Sequence, residues 1–289
     1  MSIAVILPAA GAGTRFNDSG PASEPVRSKV ETELAGKAVF LRAVELFFSH
    51  EDVSQVLLAV HPERVDEFKQ RWGDRLGLLG VEVVAGGTAE RWETVAKAIK
   101  HVRDECTHIA VHDAARPMAS DAMITRVFET AKRYHAAIPA VAVTGTLKRV
   151  EPMEAEATAT GMADEARIDD ILGGAGKPSA GPVQRVVETV PREALVEVQT
   201  PQVFDRDLLE RAYAQITAGG LDATGITDDA SLVERLGEPV AVVEGDPLNL
   251  KITHAQDMEL AEAVLTAREA KQAAELGKKQ LFGDIDEEE

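Results

Sequence analysis

The chain has one cysteine, Cys106, in 289 residues. That excludes an internal disulfide and a cysteine-based zinc site, and it suits a reducing compartment. No window reaches eighteen uncharged apolar residues, so no membrane span is expected, and Met1 to Ala10 has no basic stretch ahead of its apolar run. A cytoplasmic protein is expected. Positive charge is also scarce: 31 Lys and Arg face 49 Asp and Glu, a formal net charge of −18. Such a chain repels a nucleic-acid backbone, and no basic run interleaved with aromatics offsets it, so nucleic acid is not an expected partner. If the ligand is a small polyanion, its counter-charge must be gathered locally, with Mg²⁺ neutralising the remainder. No internal repeat is present.

What is there is enough for a sizeable core, since 45% of residues are apolar. Runs rich in β-branched residues at Ile3 to Leu7, Gln55 to Val60, Val81 to Val84, His108 to His112 and Ala137 to Val143 read as buried strands. Between them, Ala38 to Ser49, Thr88 to Arg103 and Asp121 to His135 carry apolar residues at three- and four-residue spacing. This β-α-β-α order predicts an α/β fold, a Rossmann-like, mainly parallel sheet flanked by helices. After Asp205 the pattern predicts helices near Leu208 to Ala218 and Asp228 to Leu236, then short strands at Val240 to Val243 and Leu250 to Ile252. A last helix is expected from Thr253, where Thr253 and Gln256 have capping-box spacing, to about Ala274. Glu151 to Pro182, rich in Ala, Glu, Asp and Gly, reads as a long excursion, and residues 276–289 as a disordered acidic tail.

Leu7-Pro8-Ala9-Ala10-Gly11-Ala12-Gly13-Thr14-Arg15 follows the first strand directly, so it sits at the carboxyl edge of the sheet, where open α/β folds bind ligands. Gly11 and Gly13 leave backbone N–H groups free to approach anionic oxygens, and Arg15 adds charge. A dinucleotide fingerprint fails at Phe16, which stands in place of the third Gly. Gly173-Gly174-Ala175-Gly176-Lys177 fails as a P-loop because Ile171 and Pro178 occupy required Gly and Ser/Thr positions. His112 and His254 have no second His or Cys at ligand spacing, which argues against a histidine-held metal.

The first turn resembles the Ala-Ala-Gly-x-Gly-x-Arg signature of the 2-C-methyl-D-erythritol 4-phosphate cytidylyltransferases. Gly86-Gly87 with Arg91 and Thr94-Val95 is similar to their Gly-Gly-x-x-Arg-x-x-Ser-Val segment with one residue added, and His112-Asp113-Ala114-Ala115-Arg116-Pro117 to their hallmark hexapeptide. Thr146-Leu147-Lys148, Thr200-Pro201-Gln202-Val203-Phe204, Thr227-Asp228-Asp229-Ala230-Ser231 and Asn249-Leu250-Lys251-Ile252-Thr253 follow in the family's order. The resemblance runs from Ile3 to about Leu265. It implies one nucleotidyltransferase domain over 1–275 with a dimerising β-arm at about 147–195, hence a homodimer. It further implies transfer of a cytidylyl group from CTP to 2-C-methyl-D-erythritol 4-phosphate with Mg²⁺, releasing pyrophosphate, a step of isoprenoid precursor biosynthesis by the non-mevalonate pathway. A ribitol 5-phosphate cytidylyltransferase and a non-catalytic nucleotide-binding scaffold are the competing readings.

The roles that the resemblance implies fall on particular residues. Arg15 and Lys29 are the transition-state cations, with Arg27 competing for the second place because the loop before Ser28-Lys29-Val30 is longer than the family's. Pro8, Ala9, Ala10, Gly11, Gly13, Gly87, Thr88, Thr94 and Ala114 surround the nucleotide. Asp113 faces Mg²⁺ or the acceptor hydroxyls, and Arg116 lies on the acceptor side. Arg192, from the arm of the partner subunit, and Lys251 hold the acceptor phosphate, with Thr146, Thr200 and Thr227 as hydroxyl donors.

Overall fold

The computed structural model describes residues 1–11, 16, 28–153, 183–219, 223 and 225–282. Met1–Val141 with Val198–Glu289 form one compact unit, and Ala142–Glu197 a second. The first strand, β1 (Ile3–Pro8), shows why a continuous apolar run folds as it does. Ile3, Val5 and Leu7 pack on one face with Phe40, Leu41, Met123 and Phe128, while Ala4 and Ile6 pack on the other with Val95, Ala98, Leu209 and Ala212. A strand covered on both faces has no polar side to show.

The helices that cover it are α1 (Val39–Glu45), α2 (Val65–Leu78), α3 (Arg91–Ile99), α4 (Asp121–Tyr134) and α5 (Arg206–Thr217). Strands β4 (Val53–Val60), β5 (Val81–Ala85) and β6 (His108–Val111) pair parallel to one another across β1, after a small hairpin of β2 (Glu33–Leu34) and β3 (Lys37–Ala38). Next in the chain come β7 (Ala136–Ala142), then β8 (Leu147–Pro152), β9 (Gln184–Val190) and a three-residue strand β10 (Val196–Val198). Beyond these lie β11 (Gln202–Asp205), α6 (Ala230–Arg235), β12 (Ala241–Glu244) and α7 (Gln256–Phe282). Strand β11 inserts between β6 and β7, antiparallel to both, and β12 joins the far side of β7 in parallel. The expected mainly parallel sheet is present, with β11 as an antiparallel exception.

Several boundaries differ from the expectations. Leu250 to Ile252 is not a strand; its backbone meets the rest of the unit through Ile252 N–H donating to the Ala115 carbonyl at 2.8 Å. Helix α7 begins at Gln256, and its first turn is capped by Asp257, whose Oδ2 accepts from the N–H groups of Thr253 (2.7 Å) and His254 (2.8 Å). The Thr253 hydroxyl does not act as the cap; it donates to the Lys251 carbonyl at 3.3 Å. The helix runs to Phe282, so 276–282 is helical rather than tail, and 283–289 lies outside the described residues. Helix α2 is not anticipated by the sequence pattern, because only Phe68 and Leu76 of its 14 residues are buried and the apolar periodicity is thin.

In the second unit β8 and β9 pair antiparallel, Leu147 opposite Val190, and Arg149 Nε donates to Glu188 Oε1 at 2.7 Å. Residues 154–182, most of the excursion and all of the glycine run at 173–177, lie outside the described residues.

Candidate active site

Two cavities meet at the carboxyl ends of β1, β4 and β6. The first, about 360 Å³, is lined by Pro8, Ala9, Ala10, Gly11, Lys29, Gly87, Thr88, Thr94 and Ala114, among others. Glycine is required at its inner wall. A Cβ on Gly86 would stand 2.7 Å from Thr94 Cγ2, and one on Gly87 2.6 Å from Glu93 Cβ. The close approach lets Gly87 N–H donate to Thr94 Oγ1 at 3.0 Å, which ties the loop to the first turn of α3. A reciprocal capping box between Glu90 and Glu93 starts that helix.

The second cavity, about 240 Å³, is lined by Arg91, Asp113, Arg116, Thr200, Thr227 and Lys251, among others. Arg91, Asp113 and Lys251 line both cavities and so form their common wall. Sheet register explains the convergence. Gln202 pairs with Val111, so Thr200, just ahead of β11, falls beside Asp113, just beyond β6. The segment carrying Lys251 is held there by the Ile252 bond and by Arg116 Nη1 donating to the Asn249 carbonyl at 2.7 Å.

Asp113 is the electrostatic centre. Lys251 Nζ lies 2.7 Å from Oδ2, Arg91 Nε 3.1 Å from Oδ1 and Arg116 Nε 3.6 Å from Oδ2. Burial alone would raise the carboxyl pKa, but Arg91, Lys251 and Arg116 outweigh it and hold the group well below the usual carboxylate range. Asp113 is therefore ionised at any working pH. Arg91 is likewise held charged: burial opposes it, and Asp229 and Asp113 prevail.

His112, with no exposed surface, braces the turn that carries Asp113 and Arg116. Its Nε2 lies 2.9 Å from the Arg116 carbonyl, which can only accept, so Nε2 carries the proton. Nδ1 then accepts from the Thr200 hydroxyl at 3.1 Å, and that hydroxyl oxygen accepts the Asp113 N–H at 3.1 Å. Burial lowers the ring's pKa from 6.5 to about 4. Between these values the unfolded chain binds a proton that the folded chain refuses, so stability is full above pH 6.5 and falls as pH drops towards 4, by on the order of 3 kcal/mol. Asp113 adds nothing in that window, since its contribution is lost only below about 3.9. Urea denaturation at pH 7.5 and pH 4.5 should show the loss in the wild type and a smaller one in His112→Asn. Equal losses in the two proteins would show that another group carries the effect.

Five of the expected residues lie outside the described part of the larger unit. Gly13, Arg15 and Arg27 lie outside the described residues. Thr146 and Arg192 belong to the second unit, where both are exposed and Arg192 donates to the Thr144 carbonyl. Sequence reasoning places Arg91 in a motif but gives it no role. The signal available is a cation at the first position of a helix, where the macrodipole disfavours one.

The sequence pattern of the 2-C-methyl-D-erythritol 4-phosphate cytidylyltransferase family matches residues 3–169 and 179–267. A protein of that name from Acidobacterium capsulatum is 36% identical over 272 residues, 94% of this chain and 100% of its own. One from Solibacter usitatus is 34% identical over 94% of this chain and 98% of its own. Among solved structures, the enzyme of that name from Thermus thermophilus superposes with a TM-score of 0.61 at 32% identity, over 91% of this chain and 98% of its own.

Proposed function

The chain belongs to the 2-C-methyl-D-erythritol 4-phosphate cytidylyltransferase family, and from that premise we infer that it joins the cytidylyl group of CTP to 2-C-methyl-D-erythritol 4-phosphate in isoprenoid precursor biosynthesis. The observation that carries the reading at the level of residues is the shared wall of Arg91, Asp113 and Lys251 between the two cavities. CTP occupies the larger cavity, its base against the Gly87 and Thr94 end, and the acceptor phosphate occupies the smaller beside Lys251, Arg116, Thr200 and Thr227. An acceptor phosphate oxygen forms a bond to the α-phosphorus as the bond to the bridging oxygen breaks, and pyrophosphate departs with that electron pair. The nucleophile is already ionised near neutral pH, so the protein's task is positioning and neutralising charge. Lys29 and Arg15 act on the triphosphate. Asp113 keeps Lys251 and Arg116 in place and faces the acceptor hydroxyls.

Mg²⁺ enters on the triphosphate as part of the substrate. Among the described residues no group of three or more His, Cys, Asp and Glu is gathered for a cation, and the Asp113 oxygens already face three positive side chains. That donor set does not suit an ion held by the protein alone. It suits one ligated mainly by phosphate and water, with Asp113 lending at most one oxygen.

A homodimer is part of the reading. Val183, Val186 and Val187 on the second unit are 63%, 57% and 51% exposed, an apolar surface suited to a partner. Among the described residues no helix is long and apolar enough to cross a membrane. With Mg²⁺, CTP and methylerythritol 4-phosphate the protein is expected to release pyrophosphate, CTP outperforming UTP and ATP. A higher specificity constant with ribitol 5-phosphate would reassign the acceptor, and no pyrophosphate with any polyol phosphate would point to a scaffold.

A further inference from the structure

Behind the shared wall runs a line of polar contacts that the reaction as described does not use. Tyr213 Oη donates to Asp229 Oδ1 at 2.5 Å, and Asp229 Oδ2 accepts from Arg91 Nη1 at 2.7 Å. Arg91 Nε then donates to Asp113 Oδ1 at 3.1 Å. Asp229 has no exposed surface and Tyr213 is 4% exposed. Gln202 fixes the carboxylate's backbone as well, its Oε1 accepting from the N–H groups of Asp229 (3.1 Å) and Ala230 (3.0 Å).

A role in stability alone explains this line poorly. Buried ion pairs are weak stabilisers, because desolvation offsets their attraction, and apolar residues of similar volume often serve as well. Arg91 is also the first residue of α3, where the dipole favours an acid over a base. What the line does accomplish is geometric. Arg91 engages Oδ1 of Asp113, which leaves Oδ2 turned towards Lys251 at 2.7 Å and Arg116 at 3.6 Å. A carboxylate freed from Arg91 could rotate, and the ammonium it holds would lose its fixed place.

We propose that Arg91, held from behind by Asp229 and Tyr213, is a positioning residue that sets the Asp113 carboxylate and, through it, the Lys251 ammonium for the acceptor phosphate. The proposal rests on the transferase reading and deepens its acceptor site. Its effect is selective. Arg91, Asp113 and Lys251 border the nucleotide cavity as well, but its far end is built from Pro8 to Gly11, Gly87, Thr88 and Thr94, which make no contact in the line, whereas the acceptor phosphate depends on where Lys251 sits.

Tyr213→Phe keeps the ring's volume and removes one hydroxyl; Arg91→Lys keeps the charge but loses the fork that spans two carboxylates. Steady-state kinetics with each substrate varied should show the acceptor KM raised about fivefold to tenfold in Tyr213→Phe and more in Arg91→Lys, with the CTP KM within about twofold in both. A merely structural role would lower the melting temperature and the amount of active enzyme while leaving both KM values in place. Unchanged acceptor KM in both variants, or an equal rise for the two substrates, would overturn the proposal. If the wild type releases no pyrophosphate, the transferase reading fails on its own account. The line is then read by calorimetric titration with inorganic phosphate, where Tyr213→Phe should bind about fivefold more weakly, and equal binding overturns it.

Discussion

Lys29→Ala is expected to turn over at least about a hundredfold more slowly than the wild type while binding CTP within about tenfold. Lys29 lines the nucleotide cavity together with Ala9, Ala10 and Gly11. A cation there gains most when negative charge builds on the phosphates during displacement, and a contact that strengthens in the transition state appears in kcat rather than in substrate affinity. Pyrophosphate release under saturating substrates gives the first quantity, and direct titration with CTP the second. Arg27→Ala serves as the comparison. Near-normal turnover in Lys29→Ala with collapse in Arg27→Ala would move the role to Arg27 and show that the lengthened loop had shifted it.

The second large effect is a recovery. Lys29→Ala and Arg192→Ala dimers should each be inactive, yet mixing them with subunit exchange should restore about a quarter of wild-type activity. In the proposed homodimer Arg192 would serve the partner's site. Equal random mixing makes half the molecules heterodimers. In each of these one pocket keeps Lys29 and receives an intact Arg192, and the other has lost both. If Arg192 serves its own chain, every pocket in the mixture is damaged and activity stays at the parental background. Exchange itself must be followed separately, for instance by differently tagged subunits.

The residues at strand ends are legible in the sequence because a parallel strand announces itself twice, by an apolar run and by the small residues at its carboxyl end. Pro8 to Gly11, Gly87 and Asp113 fall at or just beyond such ends, and all line one cavity. Arg91 is not legible in this way. Its two partners stand 22 and 138 positions away, and neither spacing has a local period to reveal it. Strand β11 escapes sequence reading for a related reason. Its four residues are too few to display alternation, and what makes them a strand is a gap between β6 and β7. Helix α7 extends past its expected end because nothing in its sequence stops it: Gly277 lies inside it, and a single glycine in a helix interior costs only about 1 kcal/mol.

The placement of β11 between β6 and β7 also has a bearing on how the chain is made. Strand β6 is complete at Val111, but the neighbour that covers its open edge begins at Gln202. At roughly 5–20 residues per second the ribosome leaves that edge waiting for about 5–20 seconds. During that interval the Asp113 backbone lacks Thr200, His112 lacks its hydroxyl partner, and an unpaired apolar strand is open to pairing with another chain. The active site is thus among the last parts of the larger unit to be assembled, and nascent chains halted before residue 202 should be the ones that chaperones retain and that aggregate when released.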